Sequence, residues 1–169
     1  MGPVSATTPI DVPRERAFDV LADLANRPEL LAGFGDEFRL QRLDSTGVGA
    51  GARFRIPGRK LWLESTIAEL DPPHRIVERG RGSRHDRMPI STVWELEEGP
   101  GPDSCEVRVT FWTEPETLGD HVRDRRPGNS RFYRHGWRGV LRRLRDALED
   151  DRRLERVVVA GGDRIPGSG

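Results

Sequence analysis

The 169-residue sequence has one cysteine, one lysine, no net charge and no long apolar run, and each shortage removes a class of protein. With Cys105 alone, neither an intramolecular disulfide nor a cysteine-rich metal site can form. Cys105 opens an alternating stretch and reads as a small buried hydrophobe at the start of a strand. The 28 basic and 28 acidic residues cancel, so no global field draws the chain to nucleic acid, membrane or acidic substrates. Its longest unbroken aliphatic run, Val157 to Ala160, is far too short to span a bilayer, and Met1-Gly2-Pro3 leads into no apolar signal segment. The expectation is an unexported, cytoplasmic protein without membrane insertion. His74, His85, His121 and His135 lack metal-ligand spacing, so no metal is expected. Every basic residue except Lys60 is arginine, a bias that fits a GC-rich bacterial genome better than a chemical requirement.

What is present is periodicity. Tyr133, Trp137, Val140, Leu141, Leu144 and Leu148 recur at spacings of three and four, which predicts a long amphipathic helix from Ser130 to Asp151, with Ser130 as N-cap. Arg131, Arg134, Arg138, Arg142 and Arg145 repeat on its other side, so one face is buried and one is solvated. Nearer the N-terminus, Val4 to Val12 alternates as a strand, and Ala17, Phe18, Val20, Leu21 and Leu24 predict a helix from Pro13 to Ala25. A second short helix is expected at Pro28, with Leu30, Leu31 and Phe34 as its apolar contacts.

From Phe38 to Thr113 the sequence reads as strands and turns. Phe38, Leu40 and Leu43 alternate before the glycine-rich turn Gly47 to Gly51, and the strand resumes at Arg53 to Ile56. Leu61 to Leu70 follows, then the turn Asp71-Pro72-Pro73-His74, then Arg75 to Gly80, Pro89 to Glu98 and Cys105 to Thr113. Glu114 to Asn129 is too polar for core and is expected as a surface loop with a short helical turn near Leu118 to Val122. The order is one strand, two helices, about six strands and one long helix, an α+β plan.

That order, together with local residues, resembles the START-like SRPBCC superfamily of polyketide cyclase/dehydrase and lipid-transport proteins. The residues that carry the resemblance are Ile10-Asp11-Val12-Pro13 with Glu15, Ala17-Phe18 and Leu21-Ala22-Asp23; Pro28-Glu29; Gly47 to Gly51 before Phe54; Ile67-Ala68-Glu69-Leu70-Asp71-Pro72-Pro73 with Arg75-Ile76-Val77; and Trp94-Glu95-Leu96. The chain departs from the pattern at Leu30, where many relatives carry tryptophan, and in its longer Glu114 to Asn129 loop. The resemblance implies a helix-grip fold, a curved antiparallel sheet of about seven strands wrapped around the C-terminal helix. It also implies a single domain over 1–151 and a ligand cavity between sheet and helix; 152–169 is expected as a flexible tail from its glycine- and proline-rich end, with Leu154, Val157 and Val158 equally suited to extending the helix or docking on the sheet.

Inward strand positions would line that cavity: Phe54, Leu63, Ile67, Trp94, Leu96, Val109 and Phe111, with Trp137 and Leu141 from the helix and Phe34 at the entrance. Trp94 and Trp137 are expected to face each other across it, and Trp62 and Trp112 to lie on the outer face. The leading functional expectation is a binding or carrier protein for a small hydrophobic, lipid-like or polyketide-like molecule, without a cofactor. One alternative is a polyketide cyclase or aromatase-type enzyme, although no residue stands out as catalytic. Arg79, His85 and Asp86 near one hairpin would have to turn inward to act on a carbonyl. The other alternative is an interaction module that meets RNA, the ribosome or an acidic partner through the arginine face, although nucleic acid is not the expected partner.

Overall fold

A computed structural model describes residues 1–41, 44–57, 61–83, 88–151 and 154. The chain runs through β1 (Val4–Ile10), α1 (Arg14–Ala22), a 3-10 turn at Leu24–Asn26 and α2 (Arg27–Leu31). It continues with β2 (Asp36–Leu40), β3 (Gly51–Ile56), β4 (Leu61–Asp71), β5 (Arg75–Ser83), β6 (Met88–Glu98) and β7 (Cys105–Thr113), and ends in α3 (Leu118–Asp124) and α4 (Asn129–Glu149). The strands form one curled antiparallel sheet in the order β1-β7-β6-β5-β4-β3-β2, which leaves β1 and β2 as its edges. The α+β helix-grip plan expected from the element order is the plan observed.

Period-2 burial shows why these segments pair. In β7, Cys105, Val107, Val109, Phe111 and Thr113 point inward, while Arg108 on the other face is exposed. In β1, Val4, Ala6, Thr8 and Ile10 are buried and the residues between them are exposed. The inner face is covered by α4, which packs on β1, β7 and α2. Tyr133, Trp137, Val140, Leu141, Leu144 and Leu148 are all buried, and Arg131, Arg134, Arg138 and Arg142 are all exposed. Gly136 on the buried face lets Phe34 press against the helix backbone, because a Cβ there would stand 2.4 Å from the Phe34 ring.

Several boundaries differ from the sequence expectation, three of them with consequences for packing or pairing. The cap of α4 is Gly128, in the left-handed region at φ 88°, while Ser130 lies exposed inside the first turn. Glycine takes that conformation without steric cost, and the Asn129 side chain donates to the Asp124 carbonyl at 3.0 Å, tying the start of α4 to the end of α3. The single helix expected over Pro13 to Ala25 breaks at Asp23, which is extended; its carboxylate accepts from the Ala25 N–H at 3.0 Å and starts the 3-10 turn. β5 runs past Gly80 to Ser83. Leu43, and the tail after Asp151 apart from Leu154, lie outside the described residues; Leu154 is partly buried against the core.

No helix among the described residues is long and apolar enough to cross a membrane. Cys105 is fully buried, and burial pushes its thiol up to about 11. The unfolded thiol has its ordinary value of 9.0, so this group favours the folded state below that pH. Its contribution is lost as pH rises from there through the folded value. The thiol should be inert to a disulfide reagent at pH 8 in the native protein and react only on unfolding. Rapid labelling of native protein would contradict the burial. Leu144→Ala should cost about 2–5 kcal/mol in a denaturant titration as a core truncation, whereas a loss below about 1 kcal/mol would mean that the face of α4 is not core.

Candidate functional site

A cavity lies between the sheet and α4. The empty space between its walls is about 430 Å³ including its open side, of which about 30 Å³ is wide enough for the centre of a water-sized molecule. Leu24, Arg27 and Leu31 form its wall on the α2 side, Trp137 projects from α4, and the rest comes from the inner face of β2 to β7. Those sheet residues are Phe38, Ala52, Phe54, Leu63, Ile90 and Phe111, together with the polar Ser65, Glu78 and Thr92.

The polar groups converge. Arg27 and Glu78 are both buried, and Arg27 Nη2 donates to Glu78 Oε1 at 2.5 Å. The same carboxylate oxygen accepts from Trp94 Nε1–H at 2.8 Å, and Ser65 Oγ–H donates to Oε2 at 2.6 Å. Arg27 Nη2 also donates to the Leu21 carbonyl at 2.9 Å, and the guanidinium sits 4.7 Å over the Trp94 ring. Strand register assembles the acceptor side: Glu78 lies opposite Ile67 on β4 and Thr92 on β6, and Ser65 lies opposite the next inward residue, Gly80. A charge pair this deep holds only because each charge is hydrogen-bonded as well as paired.

Two donors in the same wall have no partner. Arg27 Nε–H and Trp137 Nε1–H are buried, and neither makes a hydrogen bond among the described residues. Leaving a buried donor unmet costs about 1–3 kcal/mol, and native structures leave few such groups without a reason.

Of the lining residues expected from sequence, Phe54, Leu63, Phe111 and Trp137 border the cavity. Ile67, Leu96, Val109 and Leu141 do not border it and are buried in the core. Phe34 stands behind the wall, its ring 5.4 Å from Trp137 and 6.2 Å from Phe54. Trp94 and Trp137 do not face each other across a void. Their rings touch edge to face at 5.6 Å, and the cavity lies beside them, with Trp137 in its wall and Trp94 behind Arg27 and Glu78. Trp62 and Trp112 are half-buried on the outer face, Trp62 under the guanidinium of Arg53 at 4.5 Å and Trp112 donating to Glu114 at 2.8 Å.

Arg79 is exposed, while His85 and Asp86 lie outside the described residues. His74, His121 and His135 are exposed, and no cluster able to hold a metal occurs among the described residues. The arginines of α4 remain on the solvent side, where Arg145 pairs with Asp146 and Glu149 on its own helix.

By sequence, residues 1–151 match the family described as polyketide cyclase / dehydrase and lipid transport. The chain belongs to that family. Similar folds include the KanY protein, at a TM-score of 0.67 and 17% identity over 88% of this chain and 99% of that one. A Chromobacterium violaceum protein aligns at 0.63 and 17% identity over 87% and 96% of the two chains. Major latex-like protein 151 of Panax ginseng aligns at 0.65 and 12% identity over 86% and 95%. No curated protein matches the chain by sequence. At identities this low the likeness is one of fold alone.

The sequence reading missed Arg27, Ser65 and Glu78, yet the signal was there. Glu78 alternates with Ile76 and Gly80, and Ser65 with Leu63 and Ile67, so both are polar residues at inward positions. Arg27 falls three residues after Leu24 and four before Leu31, an arginine on an apolar stripe. Arg27→Met should cost about 3–5 kcal/mol in urea titration, because it strands the Glu78 carboxylate. The double variant Arg27→Met/Glu78→Met should lose less than the sum of the two single variants. Strict additivity would mean that the pair is not coupled in solution.

Proposed function

We propose that the chain is a binding or carrier protein for a small hydrophobic molecule held in the cavity between sheet and α4. The observation that carries this reading is the space itself, bounded by apolar and aromatic side chains with a few polar groups converging on one side. Membership of a family described by cyclase, dehydrase and lipid-transport activities is consistent with such a ligand. The charged groups bordering the cavity are engaged with one another: Glu78 accepts from three side chains. The set therefore favours binding and orientation over proton transfer.

Drug-sized sites measure roughly 300–1,000 Å³, and only about 30 Å³ here admits the centre of a water-sized molecule, so a ligand of that size must widen the space. Phe38 and Ser65 are the part-exposed members of the wall, the others being buried. Entry is therefore assigned to the side bounded by β2 to β4, with Phe38 on the edge strand as the side chain that moves.

Native mass spectrometry of freshly purified protein should show a co-purified small molecule. A panel of aromatic and acyl compounds should quench tryptophan fluorescence saturably, the response falling in Trp137→Phe and persisting in Trp112→Phe. Absence of both a co-purified species and saturable quenching would overturn the carrier reading.

A further inference from the structure

We propose that the ligand is an uncharged molecule bearing a carbonyl or equivalent acceptor oxygen, received by the Arg27 Nε–H and Trp137 Nε1–H donors. This deepens the carrier reading and rests on it. Both side chains border the same cavity from opposite elements, α2 and α4, and both are about 96% buried, with 4% of their surface exposed. Neither N–H makes a hydrogen bond among the described residues, whereas the Glu78 carboxylate, the Ser65 hydroxyl and Arg27 Nη2 in the same wall are all engaged. Both residues line the cavity, so the proposed acceptor is one that a molecule in that space supplies. A pure hydrocarbon in that space would leave both donors dry; an acceptor oxygen would satisfy them.

The charge of the ligand follows from Glu78. The one buried cation in the wall is already neutralised by a carboxylate 2.5 Å away, so the site has no net charge to offer an anion. A free carboxylate would lose its hydration and meet Glu78 across a low-dielectric space. Ketones, esters and amides carry the acceptor without that penalty. The Trp94 indole N–H is committed to Glu78 and that of Trp112 to Glu114, so among these three tryptophans Trp137 is the one left to report the ligand.

Acetophenone, ethylbenzene and benzoate form a matched series of neutral acceptor, no acceptor and charged acceptor on one ring. The test is a titration of the full chain with each, followed by the indole N–H resonances in two-dimensional NMR and assigned by single Trp→Phe variants. Acetophenone should bind at least about tenfold tighter than either of the others, about threefold coming from each of the two satisfied donors. It should also move the Trp137 indole proton further downfield than ethylbenzene does. In Trp137→Phe, which keeps the apolar ring and removes the N–H, the preference over ethylbenzene should shrink to about threefold or less, Arg27 being the donor that remains. Equal binding of acetophenone and ethylbenzene, tightest binding by benzoate, or an unchanged preference in Trp137→Phe would overturn the acceptor assignment and leave the hydrophobic cavity standing. If none of the three binds saturably, the assignment and the carrier reading fall together.

Discussion

The buried contact between Arg27 and Glu78 is the constraint around which the interior is arranged. It links α2 to the middle of the sheet, since Arg27 begins α2 and Glu78 lies on β5 with strands on both sides. Two charges out of water stabilise a fold poorly unless their remaining hydrogen-bonding groups are met, and Trp94, Ser65 and the Leu21 carbonyl meet most of them. Those partners fix the rotamers of Trp94 and Arg27, and the fixed Trp94 ring in turn gives Trp137 an edge to pack on. The polar cluster thus decides where the aromatic rings close the core and where they stop.

Where they stop is the cavity. Phe34, Phe111, Tyr133 and Trp137 form a continuous aromatic block, with Phe111 stacked on Tyr133 at 4.8 Å and Phe34 edge-on to Tyr133 at 6.4 Å. These rings fill the volume that a curled sheet leaves beneath a single helix. The open space reaches toward α2 and the β2 to β4 side, where the wall includes smaller or polar residues such as Ala52 and Ser65.

The architecture was legible because it rests on patterns that repeat. The stripe from Tyr133 to Leu148 and the alternation from Cys105 to Thr113 each repeat one instruction several times, so a single exception does not obscure them. Helix ends were less legible, since Gly128 and Asp23 act through one torsion or one hydrogen bond. The site was half legible. Phe54, Leu63, Phe111 and Trp137 could be placed by parity, but parity does not reveal which inward residues touch one another and which border a void. Ile67, Leu96, Val109 and Leu141 satisfy the same pattern and are packed solid. Glu78 was passed over because a lone inward carboxylate looks like an irregularity until its cation is known, and Arg27 lies 51 residues away in sequence.

Edge position matters for how a ligand reaches the donors. β2 is paired on one side only, and its register against β3 shifts between Asp36 and Arg39, the stretch that contains Phe38. A bulged edge strand has fewer ladder bonds to break than a central one, so displacement there costs less than anywhere else around the cavity. The outer end of β2 is nonetheless anchored, because Arg55 holds Asp36 through two hydrogen bonds at 3.0 and 3.1 Å and keeps its carboxyl below the ordinary range. On the proposed route a ligand would pass the Phe38 ring before it met the two donors, so the acceptor would enter first or turn once inside, with the apolar body left against Phe38.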